Sequence, residues 1–253
     1  MRRALRVETM KLMRSTVTWT ASLLMALLVP VLALAFAWVA ENGAGAVAAK
    51  AEAMVFGEGW TGYLNSANQI GAAAIFVGAG VVVAWMFGRE HADRTFASLF
   101  ALPVSKGSIA SAKLMVLLAW AVVLSTAVSA VALLLGVASG LPPLMTSVIW
   151  ELGRLWIVVF STCLLATTVA LVASVGRGYL PPIGAVALLV TAAQISVAFG
   201  AGGWFPYAVP GLLAVASTGQ AAPPQMLQLA LVPVTALVVA RLTVRWWHGA
   251  EVT

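Results

Sequence analysis

Charged residues are scarce in this 253-residue chain, because Lys, Arg, Asp and Glu make up only 9% of it. Soluble domains carry about 25% charged residues. Hydrophobic residue types make up 62% of the chain, and a chain of this length has too little interior to hide so much apolar surface from water. The composition therefore excludes a soluble enzyme, a disordered chain and a disulfide-bonded scaffold, and it predicts an integral membrane protein.

Residues that carry chemistry are also few. The single cysteine, Cys163, excludes an internal disulfide and a cysteine metal cluster. The two histidines, His91 and His248, lie far apart in the sequence. The chain has neither an H-E-x-x-H motif nor a G-x-x-x-x-G-K-[ST] nucleotide-binding loop, and the centres of its apolar stretches lack the ionisable residues that proton relays need. We therefore expect no catalytic, cofactor-binding or metal-binding residues on this chain.

Long stretches without a formal charge predict six transmembrane helices, because about 20 apolar residues cross the hydrocarbon core. The longest stretch, 178–240, is interrupted by closely spaced glycine and proline residues at 200–226, which break helices. We predict a broken, re-entrant extracellular hairpin there, between spans five and six. The six predicted spans are 17–39, 67–87, 114–136, 155–175, 181–199 and 227–243.

The basic residues are distributed unevenly over the predicted loops. With six spans, both termini lie on one side of the membrane together with all of the 14 lysines and arginines except Lys50 and Arg154. Cytoplasmic loops of membrane proteins collect Lys and Arg. The distribution predicts cytoplasmic N- and C-termini in the inner (cytoplasmic) membrane, and the net charge of +6 then needs no nucleic-acid partner.

Two segments at the cytoplasmic side have helical patterns. In residues 1–16 basic and apolar residues interleave at helical spacing, which predicts an amphipathic helix in the membrane interface; a basic flank without fixed structure is the alternative. In the loop 89–106, Phe96, Leu99 and Phe100 fall on one helix face. That short helix either dips into lipid or fills a groove on a cytoplasmic partner.

Small residues recur at helical spacing in span two, at Gly71, Ala74 and Gly78. Such residues let helices approach closely in lipid, so we expect them to pack within the subunit or across a dimer. Glu151 and Arg154, three residues apart near span four, are expected to pair as an anchor at the outer interface; contact with a substrate is the alternative.

The loop after span two resembles the signature of ABC-2-type transporter permeases. In that family a Glu is followed by a Thr, a leucine-rich turn, Leu-Pro-Val-Ser and a Lys that opens span three. One departure is Arg94, which stands where the family usually has glycine. The matching residues here are Glu90, Thr95, Leu99, residues 102–105 and Lys113.

The resemblance covers essentially the whole chain, and it is closest to the small permeases of the bacitracin-immunity, lantibiotic-immunity and sodium-export kind. It implies an all-α integral membrane protein with six transmembrane helices in a single permease domain. The protein would be a non-catalytic subunit of an ATP-driven exporter. Two copies would form the translocation path, and two copies of a separate ABC ATPase would bind ATP and Mg²⁺.

The resemblance also assigns roles to particular residues. It implies a coupling helix around 94–102 that is seated in the ATPase, and an elbow helix near 5–14 that moves with it. The implied ATPase contacts are Glu90, His91, Asp93, Arg94, Thr95, Phe96, Leu99, Phe100, Leu102 and Pro103. The implied elbow residues are Leu5, Glu8, Lys11 and Arg14.

Two other classes of function stay open. A stand-alone carrier or channel would give flux without an ATPase, and a polytopic membrane enzyme would need polar catalytic residues in its spans. The poorly polar interior favours amphipathic or lipid-like cargo, but the sequence does not identify the cargo or the direction of transport.

Overall fold

The computed structural model describes residues 1–93, 104–142 and 146–249. Within these residues the chain is helical and has no strand. Six helices are long and apolar enough to cross a membrane, which confirms the prediction of an all-α membrane protein with six spans. They are Thr16–Asn42, Gly59–Glu90, Lys106–Ala138, Thr146–Val175, Leu180–Ala198 and Met226–Gly249.

Shorter helices precede and connect the spans, and one span is interrupted. The fourth crossing breaks at Thr167, whose hydroxyl donates a hydrogen bond to the Leu164 carbonyl at 2.6 Å. The helices in chain order are α1 (Arg2–Met13), α2 (Thr16–Asn42), α3 (Gly45–Glu52), α4 (Gly59–Ala92), α5 (Lys106–Ala138), α6 (Thr146–Ala166), α7 (Thr168–Val175), α8 (Leu180–Ala198), α9 (Val209–Ala214) and α10 (Met226–Gly249).

A two-residue break separates α1 from the first span. The Ser15 side chain accepts a hydrogen bond from the Thr18 backbone N–H at 3.1 Å and so caps the start of α2. The indole of Trp19 donates to the Met13 carbonyl at 2.7 Å, which satisfies a carbonyl at the end of α1. The chain therefore turns sharply between α1 and the span while its exposed backbone groups stay hydrogen-bonded.

The helix ends meet in two groups at opposite ends of the bundle. At the end that carries α1, Phe87 of α4 packs edge-on against Trp247 of α10, with ring centroids 5.9 Å apart. At the other end, the Trp60 indole donates to the Pro142 carbonyl at 2.8 Å. We call these the α1 end and the distal end. Six crossings return the last helix to the α1 end.

Three spans begin eight or nine residues earlier than predicted. α4 begins at Gly59 instead of 67, α5 at Lys106 instead of 114, and α6 at Thr146 instead of 155. The predicted starts of α5 and α6 were wrong because they were set by the formal charges of Lys113 and Arg154, and a helix continues past a charge whose side chain finds a partner. As a result, Lys113 lies two turns inside α5 and Arg154 lies two turns inside α6. The start of α4 coincides with the start of the charge-free stretch 59–88.

The glycine- and proline-rich stretch predicted to break the last apolar run contains only short elements. It holds a 3₁₀ turn at Gly202–Trp204 and the six-residue α9. Tyr207 ties the stretch to the bundle, because its ring packs edge-on against Phe76 at 5.9 Å and its hydroxyl lies 2.6 Å from that of Thr168. We call residues 199–225 the distal segment.

The small residues of α4 pack inside the chain. Gly71 lies against Val29 of α2 and Leu155 of α6, and Gly78 lies against the thioether of Met25 in α2. Ala74 is half-buried and packs against the same core. Of the two expectations for this stripe, the structure therefore shows packing within the subunit.

Gly136 of α5 lies against the indole of Trp60, which the hydrogen bond to Pro142 holds in place. A methyl group at position 136 would overlap that ring. We expect Gly136→Ala to lower the thermal unfolding midpoint in detergent, because overpacking a core costs about 1–3 kcal/mol. Gly153→Ala is the matched control, since open space surrounds Gly153 on α6. Equal midpoints for the two variants would contradict the packing at Gly136.

Candidate functional site

α1 buries one of its faces, and that face contains a charge. Ala4, Glu8 and Leu12 lie four residues apart and are the buried residues of this helix. Glu8 is only 2% exposed. Because α1 packs on α5, the Glu8 carboxylate points into the bundle instead of toward solvent.

Two further charges are buried beside Glu8. Glu90, in the last turn of α4, is 4% exposed, and Lys113 of α5 is 1% exposed. The Lys113 ammonium lies 2.9 Å from Glu8 Oε2 and 2.9 Å from Glu90 Oε1. It also donates to the Met86 carbonyl at 3.1 Å. All three ammonium donors therefore have acceptors, as a buried lysine requires.

Lys11 is the fourth charged residue of this group and lies at its edge. Its ammonium lies 2.8 Å from Glu8 Oε1 and 3.0 Å from Glu90 Oε1, and its side chain is one-third exposed. Burial lowers the pKa of Lys11, but the Glu8 and Glu90 carboxylates outweigh burial and hold the pKa above the ordinary 10.5. Lys11 is thus charged at neutral pH.

The four residues form what we call the ion cluster: Glu8, Lys11, Glu90 and Lys113. Two carboxylates and two ammonium groups give it no net charge. An isolated charge buried in an apolar bundle is costly, whereas a paired and hydrogen-bonded one is tolerated. The cluster joins α1 to the end of α4 and the start of α5, the two helices that flank residues 94–103.

Aromatic contacts extend the ion cluster to two more helices. The Lys113 ammonium lies 5.8 Å from the ring centroid of Phe87, a cation–π distance. Phe87 packs against Trp247 of α10, and the Trp247 indole donates to the Ser174 hydroxyl of α7 at 2.9 Å. Side chains in direct contact therefore connect the ion cluster to α7 and α10.

A second polar group lies at the distal end. Arg154 pairs with Glu151, as expected, and also donates to Asn65 Oδ1 at 2.7 Å. The Ser217 hydroxyl donates to the same oxygen at 2.7 Å. Asn65 thus joins α4, α6 and the distal segment. The Glu151–Arg154 pair therefore does more than form the expected anchor, because Arg154 and Ser217 of the distal segment share the Asn65 oxygen.

The elbow residues implied by the resemblance fall into two groups. Glu8 and Lys11 belong to the ion cluster, and Leu5 packs against the core. Arg14 is exposed at the end of α1. The structure therefore brings two of these four residues to the site.

The implied ATPase contacts fall partly outside the described residues. Outside them lie the side chain of His91 and residues 94–103. This range includes seven of the implied contacts: Arg94, Thr95, Phe96, Leu99, Phe100, Leu102 and Pro103. Asp93 is exposed and pairs with Arg89 at 3.2 Å. Glu90 is buried in the ion cluster, so in this arrangement its carboxylate contacts this chain's own lysines.

The pairing of Lys113 with Glu8 was missed by sequence reasoning. Lys113 was placed just outside span three, and the contact joins residues far apart in the sequence. Two signals were present in the residues themselves. Glu8 lies between Ala4 and Leu12 on a face that is otherwise apolar, and Lys113 follows six uncharged positions within an apolar helix. An ionisable residue in an apolar helix usually marks a buried partner.

The chain belongs to the ABC-2 transporter family. The sequence model described as "ABC-2 family transporter protein" matches residues 4–194, which include every residue of the ion cluster. No curated protein matches the chain in sequence. The protein is therefore a membrane permease of an ABC transporter, and the resemblance of the loop after span two is confirmed at the level of the family.

Lys113 can be tested by substitution. In Lys113→Met, the buried carboxylates of Glu8 and Glu90 each lose an ammonium group that lies 2.9 Å away. We expect a loss of about 3–5 kcal/mol, as for other broken buried pairs, measured as a lower unfolding midpoint in detergent. The control is Lys50→Met, which removes an exposed lysine from α3.

A second variant separates the charge effect from a packing effect. Adding Glu90→Gln to Lys113→Met removes one of the two carboxylates that have lost the Lys113 ammonium, and we expect it to recover part of the lost stability. If Lys113→Met proves as stable as Lys50→Met, the buried ion pairs do not form in the membrane.

Proposed function

We propose that this permease is the membrane subunit of an ATP-driven exporter, that it works as a dimer, and that separate ABC ATPase subunits drive it. Family membership supports the permease role. The observation that supports coupling to an ATPase is the ion cluster, since it joins α4 and α5, the helices that precede and follow residues 94–103 in the sequence. A partner that moves this loop would move α1, α4 and α5 together.

The coupling step would begin at residues 94–103. An apolar helix face with Phe96, Leu99 and Phe100 would sit in a groove of the ATPase and follow its closure on ATP. Glu90 lies four residues before Arg94, and Ser105 caps the start of α5 by accepting from the Ser108 N–H at 3.3 Å. Displacement of the loop would therefore pull on two helix ends that Lys113 holds together.

Glu90 has a positioning role in this proposal. It was implied as an ATPase contact, but its carboxylate accepts hydrogen bonds from Lys11 and Lys113 inside the chain. It would orient the helix that leads into the loop, while exposed neighbours such as Asp93 would meet the partner. The loop would transmit the movement and the ion cluster would spread it to α1.

The proposed orientation places the α1 end in the cytoplasm, at the inner membrane. Among the described basic residues, only Lys50 on α3 and Arg154 on α6 belong to the distal end, and this asymmetry is typical of a cytoplasmic α1 end. Both termini would then be cytoplasmic. ATP and Mg²⁺ would bind to the ATPase, because the chain carries no G-x-x-x-x-G-K-[ST] loop.

Replacement of Leu99 by Asp tests the proposed docking helix. A carboxylate in the centre of an apolar contact costs several kcal/mol when it is desolvated, so we expect the ABC ATPase to stop co-purifying with the permease from membranes. Val47→Asp is the matched control, because Val47 is 68% exposed on α3 at the distal end.

The comparison requires that Leu99→Asp and Val47→Asp insert into the membrane equally well and have the same unfolding midpoint. Undiminished co-purification of the ATPase with Leu99→Asp and with Phe100→Asp would contradict the docking helix. Flux through the purified permease without any ATPase would instead favour a stand-alone carrier or channel.

A further inference from the structure

A cavity of about 410 Å³ lies at the distal half of the bundle. It is lined by α4, α6 and α8, and the distal segment forms its cover. Its volume falls within the range of small-molecule sites, and its walls are mostly apolar, as those of such sites are. The apolar wall includes Phe76 of α4, Leu165 of α6 and Leu189 of α8.

Three glutamines interrupt the apolar lining: Gln69, Gln194 and Gln220. Gln69 donates to the Met54 carbonyl at 3.0 Å, which leaves its carbonyl oxygen as an acceptor. Within residues 1–93, 104–142 and 146–249, the side chain of Gln194 makes no hydrogen bond. Every lining residue in these ranges is uncharged.

The glutamine amides are important because the cavity lies among helices that cross the membrane. Lipid chains are as apolar as the cavity wall, so burial of an aliphatic ligand alone gains little inside a membrane. Hydrogen-bonding groups are different, since the hydrocarbon core offers them no partner. A ligand that carries a hydroxyl or amide group would therefore favour this cavity over the surrounding lipid.

The cover of the cavity is fixed at two points. The Tyr207 hydroxyl lies 2.6 Å from that of Thr168 at one side. At the other side Ser217 donates to Asn65 Oδ1, the oxygen that Arg154 also holds. Residues of the distal segment from Tyr207 to Val215 line the cavity between these ties, and Gln220 and Ala221 line it beyond the second tie. The cavity is thus built by long-range polar contacts, and it does not arise from a loosely packed loop.

We propose that this cavity binds an uncharged, single-chain amphiphile. Its hydroxyl or amide group meets Gln69 and Gln194, and its aliphatic chain lies along Phe76 and Leu165. From Gln69 to Phe76 the cavity follows α4 for about 10 Å, at 1.5 Å of rise per residue. A membrane lipid and a transported molecule share this chemistry, and the test distinguishes them.

The probe is a decanoyl monoglyceride with a diazirine on its acyl chain, added to the purified full-length permease in nanodiscs. After photolysis, mass spectrometry maps the labelled peptides. We expect saturable labelling of the peptides that contain Gln69–Phe76 and Leu189–Val197. A diazirine-labelled decane, which lacks the hydroxyl groups, should label them without saturation. The measurement needs no ATPase, so its outcome is independent of the proposed ATP-driven transport.

Two variants on α8 test the lining. Ala193→Trp fills the cavity and should abolish the saturable labelling, whereas Ala187→Trp on the exposed face of the same helix should leave it unchanged. Gln194→Leu should weaken saturable binding by about threefold to tenfold, the effect of one hydrogen bond inside a membrane.

The outcomes separate the sources of the ligand. A monoglyceride or related lipid that co-purifies with the unaltered chain, but not with Ala193→Trp, identifies a resident lipid. Saturable labelling without such a lipid identifies a site that is open to added molecules. Labelling that is equal in all variants, or spread without saturation over the exposed faces of α2 and α5, would overturn the proposal.

Discussion

The arrangement of this permease depends on one buried ammonium group, that of Lys113. Two turns inside an apolar helix, it has three acceptors within 3.1 Å, and two of them are carboxylates from other helices. Without Glu8 and Glu90 the ammonium would be buried and unpaired, a state that proteins avoid. The charge therefore dictates where α1 lies and how α4 ends, and it does so in a part of the bundle where apolar packing alone has little directional preference.

In the proposed function, the ion cluster would allow a membrane subunit with few charges to respond to its ATPase partner. Apolar spans can shift against one another at a small cost in free energy. Two ammonium groups that each contact two carboxylates allow fewer relative positions of their helices. Lys113 contacts Phe87, Phe87 contacts Trp247, and Trp247 contacts Ser174. The helices at the α1 end thus behave as one unit, while the distal end is held separately by Asn65 and Arg154.

Much of this fold could be predicted from the sequence, since membrane insertion depends on simple patterns. Charge-free stretches predicted the six spans, and the Gly and Pro residues of 200–226 predicted the break before the last one. The boundaries of α5 and α6 were wrong because Lys113 and Arg154 were treated as the ends of spans. Their partners, Glu8 and Asn65, are distant in sequence, and no local pattern shows which charges will meet. Glu90 illustrates the same limit. Its family motif implied a contact with the ATPase, whereas in the structure its carboxylate is buried and contacts Lys11 and Lys113.

The central claim is that the ion cluster transmits the state of the ATPase to α1. Hydrogen exchange of the α1 amides measures this directly, in the permease–ATPase complex with and without trapped ATP. We predict that trapping changes exchange in α1 of the unaltered chain and that Lys11→Met reduces the change, because Lys11 provides one of the two ion-pair links from α1 to α4 and α5. Arg6→Met, which removes an exposed charge from the same helix, should keep it. An equal response of both variants to trapped ATP would contradict the account.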